Sequence, residues 1–159
     1  MTPEKGVWIM NGKLLVFILL LSFAFSTPAV AREIGQIKKA KGTVEVERTG
    51  KCLPAAAGMK VQAADTIRTG KDGAVGVTLT DDTMLSAGPG SVLTLSRYAF
   101  DATTYQGTLE AKMSRGTLCM VSGKLAKQSP NAVRVSTPDT IIGVRGTEFF
   151  VSVEGDDHE

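Results

Sequence analysis

Residues 74–85 read Ala-Val-Gly-Val-Thr-Leu-Thr-Asp-Asp-Thr-Met-Leu, and this stretch decides the fold class. Its apolar residues Val75, Val77 and Leu79 occupy alternate positions, which places them on one face of a β-strand. The polar residues at 80–83 predict a tight turn into a second strand. The stretch is therefore typical of a β-hairpin with one buried face.

The same pattern of short alternating apolar runs separated by turn residues continues through most of the chain after residue 35. Residues 43–47 alternate valine with glutamate, and Gly88-Pro89-Gly90 separates the hairpin from another strand-like run at 91–95. We expect a longer surface connection at 97–106 and at most one helical turn, at 55–58. No other segment shows helical periodicity. The sequence predicts an all-β domain of short antiparallel strands, arranged as a compact sandwich or a solenoid-like domain.

A short repeat marks the second half of the chain. Gly107-Thr108-Leu109 and Gly116-Thr117-Leu118 have the same start, nine residues apart. We interpret each glycine as a corner that leads into a new strand.

The N-terminal segment is typical of an export signal. Lys5 and Lys13 precede an almost wholly apolar run at 14–25, and Ala29-Val30-Ala31 supplies the small residues that signal peptidase requires. Translation from Met10 instead of Met1 would shorten this signal without moving the cleavage site.

Cleavage is predicted between Ala31 and Arg32. It would remove a signal peptide at 1–31 and leave a mature domain at 32–159, with its core at 37–153. The apolar run is shorter than the roughly 20 residues that span a bilayer. We therefore expect a periplasmic or secreted product with no stable membrane span, and an uncleaved anchor is the alternative.

Composition excludes several classes of function. A net charge of +2 indicates no field strong enough to require nucleic acid. The single histidine, His158, lies beside the C-terminus, so Ser-His and Cys-His couples and histidine-rich metal sites have no internal imidazole. We predict a non-enzymatic protein with no cofactor, no metal and no catalytic residues.

The two cysteines, Cys52 and Cys119, leave two alternatives open. In an oxidising compartment they can form a disulfide, which would stabilise the fold by roughly 4 kcal/mol if unstrained. Otherwise they are separate small apolar residues, and Cys119 lies in a strand-like run.

The most organised stretch is 133–153, where two strand-like runs flank a centre rich in turn residues. Arg145 lies in that centre, and we interpret it as a structural arginine held by Glu148, Asp139 or nearby carbonyl groups. A ligand-binding arginine is the alternative.

Several ordered motifs resemble those of a FecR domain. They are Gly58-Met59, Ala64-Asp65-Thr66-Ile67-Arg68-Thr69-Gly70, the hairpin at 74–85, Gly90-Ser91-Val92-Leu93-Thr94-Leu95, Gly116-Thr117-Leu118, Val135-Ser136-Thr137-Pro138 and Gly143-Val144-Arg145-Gly146-Thr147-Glu148-Phe149. The motif residues that we expect to serve structure or interaction are Thr137, Pro138, Gly143, Arg145, Gly146 and Thr147.

The resemblance implies an all-β periplasmic domain. In regulatory members of that family the domain follows a transmembrane helix and relays the signal of an outer-membrane transporter to a cytoplasmic sigma factor. Only 13 residues precede the apolar run here, too few for a sigma-binding domain. The chain therefore resembles a stand-alone exported FecR domain.

Three functional hypotheses follow. The first is a module that binds an unidentified envelope protein or cell-surface component, by adding a strand at a free sheet edge, in envelope signal transduction. The second is a membrane-anchored sensor that regulates a sigma factor or a transport system. The third is a glycan-cleaving enzyme using carboxylates such as Asp65, Asp81 or Glu148, which requires two acids roughly 5 to 9.5 Å apart.

Overall fold

The computed structural model describes residues 32–129, 131–144 and 148–155. These residues form an all-β domain with one short helix, so the predicted fold class is confirmed. The strands are β1 (Glu33–Lys41), β2 (Val44–Arg48), β3 (Lys51–Pro54), β4 (Lys60–Gln62), β5 (Thr66–Thr69), β6 (Ala74–Leu79), β7 (Met84–Ala87), β8 (Val92–Phe100), β9 (Gly107–Val121), β10 (Val133–Ser136), β11 (Ile141–Gly143) and β12 (Glu148–Val153), and the helix is α1 (Lys124–Gln128).

The strands form one curled sheet whose two halves share β9. The first half, which we call sheet I, has the order β3-β2-β5-β8-β9-β10-β11. The second half, sheet II, has the order β12-β9-β7-β6-β1-β4. All pairs are antiparallel except β9 with β10. The N-terminal part of β9 belongs to sheet I and its C-terminal part to sheet II.

Strand β9 changes its buried face at Gly116. Leu109, Ala111 and Met113 are buried in sheet I, whereas Leu118 and Met120 are buried in sheet II, so the parity of the buried positions switches. Gly116 has a φ of 89°, in the region that favours glycine. Just before it, the pairing of β9 with β8 skips one residue between Met113 and Arg115, and such a β-bulge bends a strand and re-aims its side chains, which lets one strand serve both halves.

The core lies between the inner faces of the two halves. It is almost entirely aliphatic, because Val, Ile, Leu and Met occupy the inward positions of nearly every strand. In the hairpin at 74–85, Val75, Val77 and Leu79 are all buried, and β6 ends where the sequence places the turn. The predicted hairpin is confirmed.

Three local expectations were wrong. Strand β8 extends through residues 97–100, so the connection to β9 is only 101–106. Residues 57–58 form a turn, which the expectation of at most one helical turn at 55–58 allows, but the helix at 124–128, with Leu125 buried, was not expected. Gly107 does begin β9, but Gly116 lies inside that strand and bends it.

Candidate interaction site

The curled sheet has four edge strands among the described residues: β3 and β11 in sheet I, and β4 and β12 in sheet II. Edge strands invite pairing with other chains unless they are short, charged or interrupted by proline. Strand β3 carries Lys51 and Pro54, and β4 and β11 are only three residues long. Strand β12 has six residues, with neither proline nor lysine. Strand β12 is therefore the least protected edge.

Strand β12 has an apolar inner face and one large apolar side chain on its outer face. Phe149, Val151 and Val153 point inwards, and they are only half-buried although they pack against the core. Phe150 points outwards with 66% of its surface exposed. A strand added beside β12 would cover the inward-facing residues that sheet II leaves half-buried.

A cleft of about 610 Å³ lies beside the C-terminal half of β12. It forms because residues 113–115 of β9 pair with neither β10 nor β12, so the hairpin of β10 and β11 diverges from β12 at that point. The lining residues are Ser114, Thr137, Pro138, Asp139, Thr140, Ile142, Val151, Ser152, Val153 and Glu154. Two carboxylates and no basic residue are among them.

A shallow groove of about 400 Å³ crosses the outer face of sheet II and ends at Phe150. Its floor follows one row of paired positions, with one residue from each of five strands. The row is Lys39, Gly76, Ser86, Cys119 and Phe150. The three middle side chains are small, which makes the row a trough, and a strand added beyond β12 would continue it.

Of the motif residues singled out in the sequence, Thr137 and Pro138 line the cleft. The backbone N–H of Thr137 donates to Thr140 O at 2.8 Å, and its hydroxyl accepts from Thr140 N at 3.1 Å. These bonds hold the turn between β10 and β11 closed. Gly143 lies on β11 opposite Arg134, with open space where a Cβ would be.

Arg145, Gly146, Thr147 and Ala31 lie outside the described residues. The interpretation of Arg145 as a corner arginine and the cleavage site before Arg32 therefore stay predictions. Arg32 is described, and it lines a separate hollow of about 390 Å³ with Tyr98 and Asp101.

Both cysteines are free thiols in the structure. Cys52 pairs with Glu47 on the β3 edge, whereas Cys119 lies on β9 between Ser86 and Phe150. Three strands separate β3 from β9 in sheet I, but a disulfide requires Cα atoms about 4.4–6.8 Å apart. The structure thus has the second of the two alternatives, two separate thiols.

Cys119 has an acidic neighbour on β12. Its thiol donates a weak hydrogen bond to Glu148 Oε1 at 3.7 Å. Burial raises the pKa of the Cys119 thiol, and the nearby Glu148 carboxylate raises it further. This environment disfavours the thiolate and hence nucleophilic chemistry at Cys119.

Asp65, one of the carboxylates considered for catalysis, forms a structural ion pair. Its side chain is only 1% exposed, and it accepts from Arg48 Nε at 2.8 Å and from Arg48 Nη2 at 2.7 Å. The backbone N–H of Gln62 also donates to it at 2.8 Å. The hydrogen bond to Asp65 is the main reason that the pKa of Arg48 is raised. The pair joins the end of β2 to the connection between β4 and β5.

Asp81, the second candidate, lies in the turn predicted at 80–83 but is fully buried. Its carboxylate accepts from the Thr83 hydroxyl at 2.6 Å and from the Tyr98 hydroxyl at 3.1 Å. Asp82 remains exposed and pairs with Lys124 at 2.7 Å. The two adjacent carboxylates therefore diverge, and only one of them is exposed to solvent.

The Tyr98 hydroxyl completes the Asp81 network. It also lies 2.9 Å from the Thr80 hydroxyl and accepts from Asp81 N at 3.0 Å. Burial raises the pKa of Tyr98 above its ordinary value. The network ties the turn of the β6–β7 hairpin to β8, and each of its carboxylate oxygens is occupied by a structural partner.

The described residues contain no group of three His, Cys, Asp or Glu side chains arranged to hold a metal ion. Within those same residues, no helix has the length and apolar character required to cross a membrane.

The sequence reasoning did not single out Phe150. The adjacent pair Phe149-Phe150 could have indicated this exposed aromatic residue, because two neighbouring residues in a strand point to opposite faces of the sheet. One of them was therefore bound to lie outside the core, or under a partner.

Comparison with known proteins places the chain in a family. A family model described as FecR protein matches residues 65–159, which is more than half of the chain. The match includes the hairpin at 74–85, both halves of β9 and all of β12. No curated protein and no solved structure shows significant similarity to the chain.

Proposed function

The chain belongs to the FecR protein family, and from this premise we propose that it is an exported, non-enzymatic interaction module that binds a partner protein by strand addition at β12. Family membership supports a signalling-related role. The partner is an envelope protein or a cell-surface component, and binding it requires no cofactor.

The observation that carries this proposal is the unprotected edge of β12. Among the described residues its outward main-chain groups have no strand partner, and the strand adds a half-buried inner face and an exposed phenylalanine. Strand addition gains affinity from main-chain hydrogen bonds and specificity from alternate side chains. The edge meets both requirements.

The predicted export signal is compatible with the described strands. Strand β1 starts at Glu33, so cleavage between Ala31 and Arg32 would leave every described strand intact. We propose that the mature protein is periplasmic or secreted. Cell fractionation with N-terminal sequencing tests this: a start at Arg32 in the soluble envelope fraction supports it, and an intact N-terminus in the inner membrane supports the anchored sensor.

Site-specific photocrosslinking in cells tests the binding edge. A photoreactive phenylalanine analogue replaces Phe150 on β12 or, as the matched control, Met84 on β7. Both side chains are exposed on the outer face of sheet II, but β7 lies between two other strands. A third variant carries the analogue at Cys52 on the protected edge β3.

We expect a discrete protein adduct at position 150 and little at positions 84 and 52. A Ser152→Pro change, which interrupts the free edge, should abolish the adduct while circular dichroism shows the fold unchanged. Equal adducts at 150 and 52, or no adduct at 150, would reject β12 as the binding edge.

A further inference from the structure

The charges around β12 indicate the chemistry of its partner. We infer that the edge takes an extended segment with a basic residue at each end, six positions apart, and apolar residues between them. This inference rests on the proposed function, because it specifies the partner of the same edge.

Acidic residues stand at both ends of the edge. Glu148 begins β12 and Glu154 directly follows it, and both are exposed. Their positions differ by six, so in extended chain they project on the same face, roughly 20 Å apart at about 3.3 Å per residue. The basic residues of an added strand would lie opposite them.

A third carboxylate strengthens the preference for a basic segment. Asp139 lines the cleft from the β10–β11 side, facing the C-terminal half of β12 together with Glu154. The described lining of the cleft has no lysine or arginine. Arg115 lies beyond the end of the strand, next to Gly155, and lines a different hollow with Lys71.

The positions between the two glutamates require apolar partners. On the inner face, Phe149, Val151 and Val153 alternate along the strand and are half-buried. Residues opposite them complete the core of sheet II when they are aliphatic. On the outer face, the residue opposite Phe150 continues the trough that crosses sheet II, and aromatic or β-branched residues pair well there.

A second copy of β12 is a poorer occupant than a basic segment. Two copies of β12 can pair in an antiparallel way about a two-fold axis, with their inner faces on the same side of the sheet. This pairing can place Phe150 opposite Phe150. Each Glu148 then faces Ser152 and has no cation. Shifting the register by one pair of residues places Glu148 opposite Glu154, and like charges directly opposite each other are destabilising.

Peptide binding to the protein purified from cells expressing the full chain tests this inference. The first peptide contains Lys-Val-Ser-Val-Phe-Val-Lys, which matches an antiparallel strand opposite residues 154 to 148. The second replaces both lysines with glutamate, and the third replaces them with serine. Fluorescence anisotropy gives the affinity, and hydrogen exchange of the β12 amides gives the binding position.

We expect the lysine peptide to protect the β12 amides and to bind at least roughly tenfold more tightly than the glutamate peptide at low salt, with a smaller difference at high salt. A protein carrying both Glu148→Gln and Glu154→Gln should lose most of this preference. Glu45→Gln, on β2 away from this edge, should retain it.

The outcomes separate the two proposals. If all three peptides protect β12 equally, the charge inference is overturned and the edge mechanism stands. If no peptide protects β12, the edge mechanism fails as well. If the β12 amides become protected with rising protein concentration and no peptide, the occupant is a second copy of the chain, and the basic-segment inference is overturned.

Discussion

Replacing Gly116 with alanine should destabilise the protein far more than a glycine substitution of similar backbone geometry. Gly116 has a φ of 89°, and a left-handed backbone costs a non-glycine residue roughly 1–2 kcal/mol. In addition, a Cβ at this position would lie 2.5 Å from the Cα of Ser91. That atom is backbone, so no rotamer change relieves the clash, and such overpacking costs about 1–3 kcal/mol. We expect a total loss of about 3 kcal/mol.

The neighbouring hydrogen bonds raise the cost of any adjustment. Ser91 is fully buried, and its hydroxyl accepts from Thr117 N at 3.0 Å and donates to Thr117 O at 3.2 Å. Moving Ser91 away from a new methyl group would strain both bonds. A Ser91→Gly change should not rescue Gly116→Ala, since the new methyl group would still clash with the main chain of residue 91 and the Thr117 N–H would lose its acceptor.

Gly50→Ala is the matched control. Gly50 has a φ of 76°, and nothing lies within 4 Å of the position of its Cβ. We expect a loss of only about 1 kcal/mol there, from backbone conformation alone. Urea unfolding of both variants and the parent, followed by circular dichroism, gives the free energies of unfolding. If the two substitutions cost the same to within about 0.5 kcal/mol, the close approach of Ser91 to β9 is not what makes Gly116 necessary.

Three further measurements test the interior and the thiols. Asp65→Asn should lower the free energy of unfolding, measured with urea, by about 2 kcal/mol, because the partly exposed Arg48 guanidinium loses its charge-assisted hydrogen bonds; a loss under 1 kcal/mol would contradict a structural role for the pair. Alkylation without a reductant should add two labels by mass spectrometry, first at exposed Cys52 and later at Cys119, whose thiol pKa is raised; failure to label both would indicate a bridge. In an alkaline absorbance titration, one of the two tyrosines should ionise only above the ordinary tyrosine range, since burial raises the pKa of Tyr98, and Tyr98→Phe should remove that late step; its persistence in the variant would show that the step belongs to another group.

Individual strands were predictable from the sequence where one face of the strand is buried and the other is exposed to solvent. Val75, Val77 and Leu79 illustrate this. Apolar residues at alternate positions of a short segment lie on one face only when the segment is a β-strand, and that face then packs on the core. Strand β9 was not predictable in the same way. Its buried positions change parity at Gly116, so the Gly-Thr-Leu repeat looks like two strand starts when only the first is one. Nothing local distinguishes a glycine that begins a strand from one that bends it.

Tertiary context also decided which polar residues are buried. Asp81 and Asp82 are adjacent and chemically equivalent, yet one is enclosed by Thr83 and Tyr98 while the other faces solvent. Helix α1 was missed because five residues with a single buried side chain, Leu125, show no periodicity. Its position depends on a bond from Lys124 N to Asp81 O, which joins segments far apart in the chain.

The interaction site depends on topology even more than the fold does. Whether a strand is an edge is settled by its partners, and β12 pairs only with β9 in the part of the chain that the structure describes. The sequence of β12 resembles an interior strand, with apolar residues on both faces and charges only at its ends. An interior-type strand placed at an edge exposes main-chain groups and a large aromatic side chain, which proteins ordinarily protect with lysine, proline or a bulge. The other edges of this sheet are short or carry such protection. Within the described residues, this lack of protection at β12 is what supports the proposed partner strand, and the glutamates at the two ends of β12 would fix the register of that strand.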